Sequence, residues 1–154
     1  MTNKTEINVD EVNKFLNSWA TGVIEIGKTF KDGGDTVDKA KEFIDSHYAF
    51  DFQDVLFKPT YTKEVVFRNN KEEALSYFIS GDIKEDKGFA LKPWEEISLD
   101  KIYTLTEHNI TIVMGILNLK PLDSFNKIRL AFTFVLIKDD NDQLKIKVHH
   151  SSEI

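Results

Sequence analysis

The chain contains no cysteine, and that one absence removes disulfides, thiolate nucleophiles and thiolate metal ligands together. Any chemistry must use oxygen, imidazole or backbone groups, and nothing in the chain depends on an oxidising compartment. An uninterrupted apolar run of about eighteen residues, the length that a spanning helix needs, is also missing. Residues 1–10 are polar and include acids, which fits neither a signal nor a transit peptide. The expectation is a soluble, cytoplasmic protein. Basic stripes are lacking as well: 26 acidic residues outnumber 20 lysines and arginines, for a net charge of −6, and the two signs are interspersed. A surface of that kind does not track a phosphate backbone, so nucleic acid is not an expected partner.

What is present suffices for a core. At 154 residues, 41% hydrophobic and 12% aromatic, the chain reads as a single α+β domain over residues 1–154. Asn8 followed by Glu11 has the spacing of a capping box, and Val12, Phe15, Leu16, Trp19, Val23 and Ile24 recur at helical intervals. Residues 31–35 break that pattern with two glycines. A second helix is expected from Thr36 to His47, with Val37, Ala40, Phe43, Ile44 and Tyr48 inward, and a third over residues 71–80, stopped by Gly81.

The second half is dominated by β-branched and aromatic residues over 97–105, 110–119, 128–138 and 144–152, separated by short turn-like connections. Strands joined so closely pair antiparallel. Residues 51–60 read as a short strand stopped near Pro59, and residues 63–67 as an extended segment. Helices followed by a run of antiparallel strands predict helices covering one face of a curved sheet, a cup whose mouth suits a small molecule.

The last strand supplies the polar candidates. Side chains alternate between the two faces of a strand, so Leu144, Ile146 and Val148 share a face with His150 and Ser152. If that apolar face is the covered one, an imidazole and a hydroxyl enter the interior, where they need partners or a ligand. The plain alternative is a strand end whose polar residues meet water.

Other chemistry is poorly supported. His149 and His150 adjoin but point to opposite faces, His47 and His108 are distant, and neither H-x-H nor H-E-x-x-H occurs, so zinc is not indicated. A hard cation held by carboxylates and waters stays open. There is no G-x-S-x-G elbow for acyl chemistry. The cluster Lys84-Glu85-Asp86-Lys87 reads as solvated loop charge. Trp19 reads as core, and Trp94, after Pro93 and outside any stripe, as lining a mouth or covering a sheet edge.

Four segments occur in order: Val55-Leu56-Phe57-Lys58-Pro59-Thr60, Ala74-Leu75-Ser76-Tyr77-Phe78, Glu85-Asp86-Lys87-Gly88-Phe89-Ala90-Leu91-Lys92-Pro93-Trp94, and the closing Leu144-Lys145-Ile146-Lys147-Val148-His149-His150-Ser151-Ser152. Together they resemble the iota-class carbonic anhydrases, a family related to the association domain of calmodulin-dependent protein kinase II within the nuclear transport factor 2-like superfamily. The resemblance implies N-terminal helices packed on a strongly curved antiparallel sheet, reversible hydration of carbon dioxide to bicarbonate, and a homodimer. It implies no cofactor, although some members prefer manganese. Carried onto this chain, the catalytic set is Thr60, Tyr77, His150 and Ser152, the last two coinciding with the inward pair that alternation selects. Where the family carries tyrosine and glycine, the strands around Met114-Gly115-Ile116-Leu117 and Leu130-Ala131-Phe132-Thr133-Phe134-Val135-Leu136 are more aliphatic. The alternative function is therefore a non-catalytic dimeric module binding a small molecule or anion in the same cup.

Overall fold

The computed structural model describes residues 5–154, so the first four residues of the polar segment 1–10 lie outside the described residues. Helix α1 (Val9–Lys31) starts at the expected capping box: Asn8 accepts from the Glu11 N–H at 2.9 Å, and the Glu11 carboxylate accepts from the Asn8 N–H at 3.0 Å. Its apolar stripe faces the sheet and buries Trp19 and Val23. Gly27 lies against the segment after α3, since a Cβ there would stand 2.7 Å from the Ala90 carbonyl oxygen. Helix α2 (Thr36–His47) has the expected bounds. Val37, expected inward, is 46% exposed, because it occupies the first turn ahead of the buried Ala40, Phe43 and Ile44.

Helix α3 (Lys71–Ile79) ends differently from the expectation. The left-handed residue that closes it is Ser80, at φ 60°, not Gly81. Gly81 is needed for a different reason: a Cβ there would come within 2.9 Å of the Ser76 Cα.

Strands β1 (Leu56–Lys58), β2 (Trp94–Glu107), β3 (Ile110–Pro121), β4 (Ile128–Lys138) and β5 (Leu144–Glu153) form one sheet in the order β1-β5-β4-β3-β2. The β2–β5 meander is antiparallel, as the short connections require. Only three residues of the segment 51–60 become strand, and they join β5 in parallel, which a hairpin connection cannot do. Residues 63–67 remain irregular. The core lies between the helices and the inner sheet face, and no described helix is long and apolar enough to cross a membrane.

The charge cluster at residues 84–87 is not wholly solvated. Arg68 is fully buried and holds both Asp86 carboxylate oxygens, at 2.6 and 2.7 Å, while the Ser76 hydroxyl donates to Asp86 at 2.6 Å. Arg68 also donates to the carbonyls of Val65 and Glu73, at 2.9 and 3.1 Å. Burial of a guanidinium is tolerated because every direction of its fork is used. This joint fastens α3 between the segments on either side of it. Replacing one partner, as in Asp86→Ala, leaves an uncompensated buried charge and is expected to cost about 3–5 kcal/mol in urea unfolding. The double variant Arg68→Met, Asp86→Leu is expected to be less destabilised than either single change.

Candidate active site

The direction of the polar pair in β5 is set by one irregularity. Ile146 lies opposite Leu136 and Val148 opposite Val135, so consecutive β4 residues face β5 residues two apart, and Lys147 is an additional residue in the ladder. An insertion of one exchanges the faces downstream of it. His149 and Ser151, each 4% exposed, therefore enter the interior, while His150 and Ser152 are exposed on the outer face. The expected inward pair is thus replaced by its immediate neighbours. The parallel partner agrees, since buried Phe57 of β1 lies opposite His149, and their rings stack at 4.6 Å.

Thr60 and Tyr77 meet this corrected pair. Thr60, just beyond β1, donates from Oγ1 to the Ser151 Oγ at 2.8 Å. The Lys58 ammonium reaches the Ser151 carbonyl at 3.1 Å. Tyr77 projects from α3, and its phenol oxygen accepts from the Tyr61 N–H at 3.3 Å. Thr60, Tyr77, His149 and Ser151 line a cavity of about 10 Å³ walled by Trp19, Phe57, Phe78, Phe89, Leu117 and Leu130. That is room for about one water.

Thr60, Tyr77 and Phe89 also line a much larger open vestibule of about 760 Å³, where Lys63, Lys87 and Lys92 stand at the periphery. Trp94 belongs to this vestibule and opens β2, its indole donating to the Phe89 carbonyl at 2.9 Å. Of the two expectations the mouth holds, whereas Trp94 covers no sheet edge, being itself part of the edge strand β2.

The chamber is electrically neutral. Burial, reinforced by the nearby charge of His150, pushes the His149 imidazole down to about 3. Its surroundings explain this, since Phe57 covers one face and Phe134 presents an edge at 4.6 Å. Burial raises the Tyr77 phenol, an effect that the Tyr61 N–H and the Thr60 hydroxyl offset only in part. At neutral pH the site offers uncharged hydroxyl and imidazole groups within an apolar wall. Such groups stabilise a developing oxyanion without a charged partner.

Another Ser–His pair lies outside the chamber, where the Ser18 Oγ stands 2.9 Å from the His47 Nε2 and the His47 Nδ1 faces the Phe43 carbonyl at 2.8 Å. Ser18 lies within α1, whose backbone N–H groups are committed to the helix, so no oxyanion hole accompanies it. Among the described residues no group of three or more His, Asp and Glu side chains is placed to hold a metal ion.

His149 makes stability depend on pH with a definite sign. Above its ordinary value of 6.5 the ring is neutral in both folded and unfolded chains, and its contribution is complete. As pH falls below that value the unfolded chain takes up a proton that the folded chain refuses until about pH 3, so stability drops by up to about 1.4 kcal/mol per pH unit. His47, also lowered by burial, adds in the same direction. Urea unfolding from pH 6.5 to about pH 5 is expected to show a slope smaller by about one proton in His149→Gln than in the wild type.

The chain matches, over residues 10–153, the family model described as metal-independent carbonic anhydrase. A metal-independent carbonic anhydrase of Nostoc sp. (strain PCC 7120) is 33% identical over 152 residues, which span 95% of this chain and 73% of the relative. The crystal structure of a cyanobacterial iota-carbonic anhydrase complexed with bicarbonate superposes with a TM-score of 0.90 at 30% identity, covering 99% of this chain and 96% of the other. A putative dehydratase of the NTF2-like family from Streptomyces avermitilis superposes at 0.63 with 14% identity over 95% of each chain, a likeness of fold. The α+β fold is thus nuclear transport factor 2-like, as the sequence resemblance implies, and the chain belongs to the metal-independent carbonic anhydrase family.

Proposed function

We propose that this chain hydrates carbon dioxide reversibly to bicarbonate without a metal, where the small chamber of Thr60, Tyr77, His149 and Ser151 meets the vestibule that Thr60, Tyr77 and Phe89 also line. The observation that carries the reading is the convergence of these four polar side chains within an aromatic and aliphatic wall. Carbon dioxide is apolar and suits that wall. As the oxygen of a water bonds to its carbon, negative charge grows on the carbon dioxide oxygens, and hydroxyl and imidazole donors already in place stabilise it without reorganising. The water's proton must leave, and the Ser151–Thr60 hydroxyl pair joins the chamber to the vestibule, since Thr60 lines both. The vestibule's two carboxylates, Glu85 and Asp86, are both paired with Arg68, which leaves Lys63, Lys87 and Lys92 to favour passage of the bicarbonate anion.

The bicarbonate complex of the cyanobacterial relative, similar over nearly the whole chain, supports the same substrate here. His150 and Ser152, facing away from the chamber, take no part in the proposed chemistry. Stopped-flow hydration by chelator-treated protein is expected to exceed the buffer rate. Thr60→Val, Tyr77→Phe and Ser151→Ala should each lower kcat/KM, by about 10²-fold where a donor to the oxyanion is lost. His150→Ala and Ser152→Ala should stay within a few fold of the wild type. A rate no greater than buffer rejects the reading and leaves the binding-module alternative.

The same reading includes a homodimer assembled through the outer sheet face. Tyr103, Met114, Thr133 and His150 form one rung of that face, and Leu105, Ile112, Val135 and Val148 the next. Tyr103, Leu105 and Met114 are 69%, 57% and 57% exposed, an apolar area that a second copy can cover by two-fold symmetry. Light scattering is expected to give twice the chain mass, and Met114→Asp to give monomer. A monomeric wild type would remove this part.

A further inference from the structure

One buried polar chain reaches the chamber from the helical layer and has no part in the chemistry above. Trp19 of α1 is 3% exposed, and Tyr48, the residue that ends α2, is 2% exposed. The Trp19 Nε1–H donates to the Tyr48 phenol oxygen at 3.2 Å, and that oxygen stands 2.9 Å from the His149 Nδ1. An indole nitrogen only donates, so the Tyr48 oxygen is an acceptor in the first contact. Tyr48 has a single proton of its own. Burial holds its pKa far above neutrality, so that proton is retained.

The two contacts together decide where the protons lie. If His149 carried its proton on Nδ1, the Tyr48 oxygen would accept from both sides and its own O–H would be left buried without an acceptor. Buried donors in that condition are rare because their lost hydration is not replaced. With Nδ1 bare, Tyr48 donates to it and every proton in the chain is used. We propose that Trp19 and Tyr48 fix His149 as the neutral tautomer protonated at Nε2, so that the imidazole offers the reacting molecule a hydrogen-bond donor and not a base. Trp19 and Tyr48 are then positioning residues.

The surroundings of the ring agree. Phe57 lies nearly parallel to it, at 18°, and Phe134 nearly perpendicular, at 88°, so the ring has little freedom to turn and exchange its nitrogens. Among the described residues its hydrogen bond is the one at Nδ1, which leaves Nε2 for a ligand. The low proton affinity of the buried ring keeps it uncharged, so Nε2–H persists throughout the neutral range. In the hydration step the water's proton goes to solvent through the hydroxyl pair, and Nε2–H stays bonded to nitrogen while it stabilises the oxygen that gains charge.

This inference rests on the hydration reading for its catalytic half, whereas the tautomer can be read without substrate. Long-range ¹H–¹⁵N correlation on histidine-labelled protein at neutral pH is expected to show His149 with a bare Nδ1 and a protonated Nε2. Tyr48→Phe should mix the two tautomers, and Trp19→Phe should do so more weakly, since it removes only the outer donor. A wild-type ring protonated at Nδ1, or doubly protonated, overturns the proposal whether or not either variant folds. The donor role is tested by two replacements of His149 itself. Glutamine places an N–H near the Nε2 position but is no base, and leucine supplies neither. His149→Gln is expected to keep kcat within about tenfold of the wild type, while His149→Leu loses about 10²-fold. Equal losses in the two variants mean that the imidazole acts as a base, and they overturn the donor role. An Nε2–H ring in a chain that does not hydrate carbon dioxide would refute the hydration reading and leave the tautomer standing.

Discussion

Lys147 is the additional residue of the β4–β5 ladder, and because strand side chains alternate with a period of two, it transfers the inner face from His150 and Ser152 to His149 and Ser151. The rest of the site depends on this. Thr60 finds the Ser151 hydroxyl, Tyr48 finds the His149 ring, and Phe57 lies over that ring because β1 pairs with β5 in this register. The other face of the same strand then carries His150 and Ser152 to the outer sheet surface, beside the apolar residues proposed to meet a second copy.

Charge is distributed around the chamber and not within it. The Arg68–Asp86 pair lies fully buried beyond Tyr77, satisfied by carbonyls and by Ser76, and secures the segments that frame the vestibule. The lysines stand at the vestibule's periphery, and the groups inside are neutral donors. An apolar wall where the chamber meets the vestibule suits carbon dioxide, and oriented dipoles there act on a developing anion with little screening. A charged side chain in the same space would have to be desolvated before the reaction began.

Much of the frame was legible from local pattern. The Asn8–Glu11 capping box, the bounds of α2 and the antiparallel meander each follow from residue spacing a few positions long. Thr60 and Tyr77 were legible through family resemblance, and the structure brings both to one cavity. The errors share a cause. Residues 84–87 look solvated until Arg68, distant in sequence, folds onto Asp86. Gly81 looks like a helix stop until Ser76 is seen packed against it. In β5 the doubled His-His-Ser-Ser leaves two equally regular readings one residue apart, and Lys145 and Lys147 alternate without any sign of an insertion.

By itself the sequence determined the element order, the fold class and the presence of an imidazole and a hydroxyl at the end of the last strand, because helix periods, caps and short turns are properties of near neighbours. Tertiary structure alone decided which imidazole and which hydroxyl are enclosed and which tautomer the enclosed ring adopts. Those outcomes depend on the extra residue Lys147 where β5 pairs with β4 and on Trp19 and Tyr48 arriving from two helices, contacts between residues that no local pattern connects.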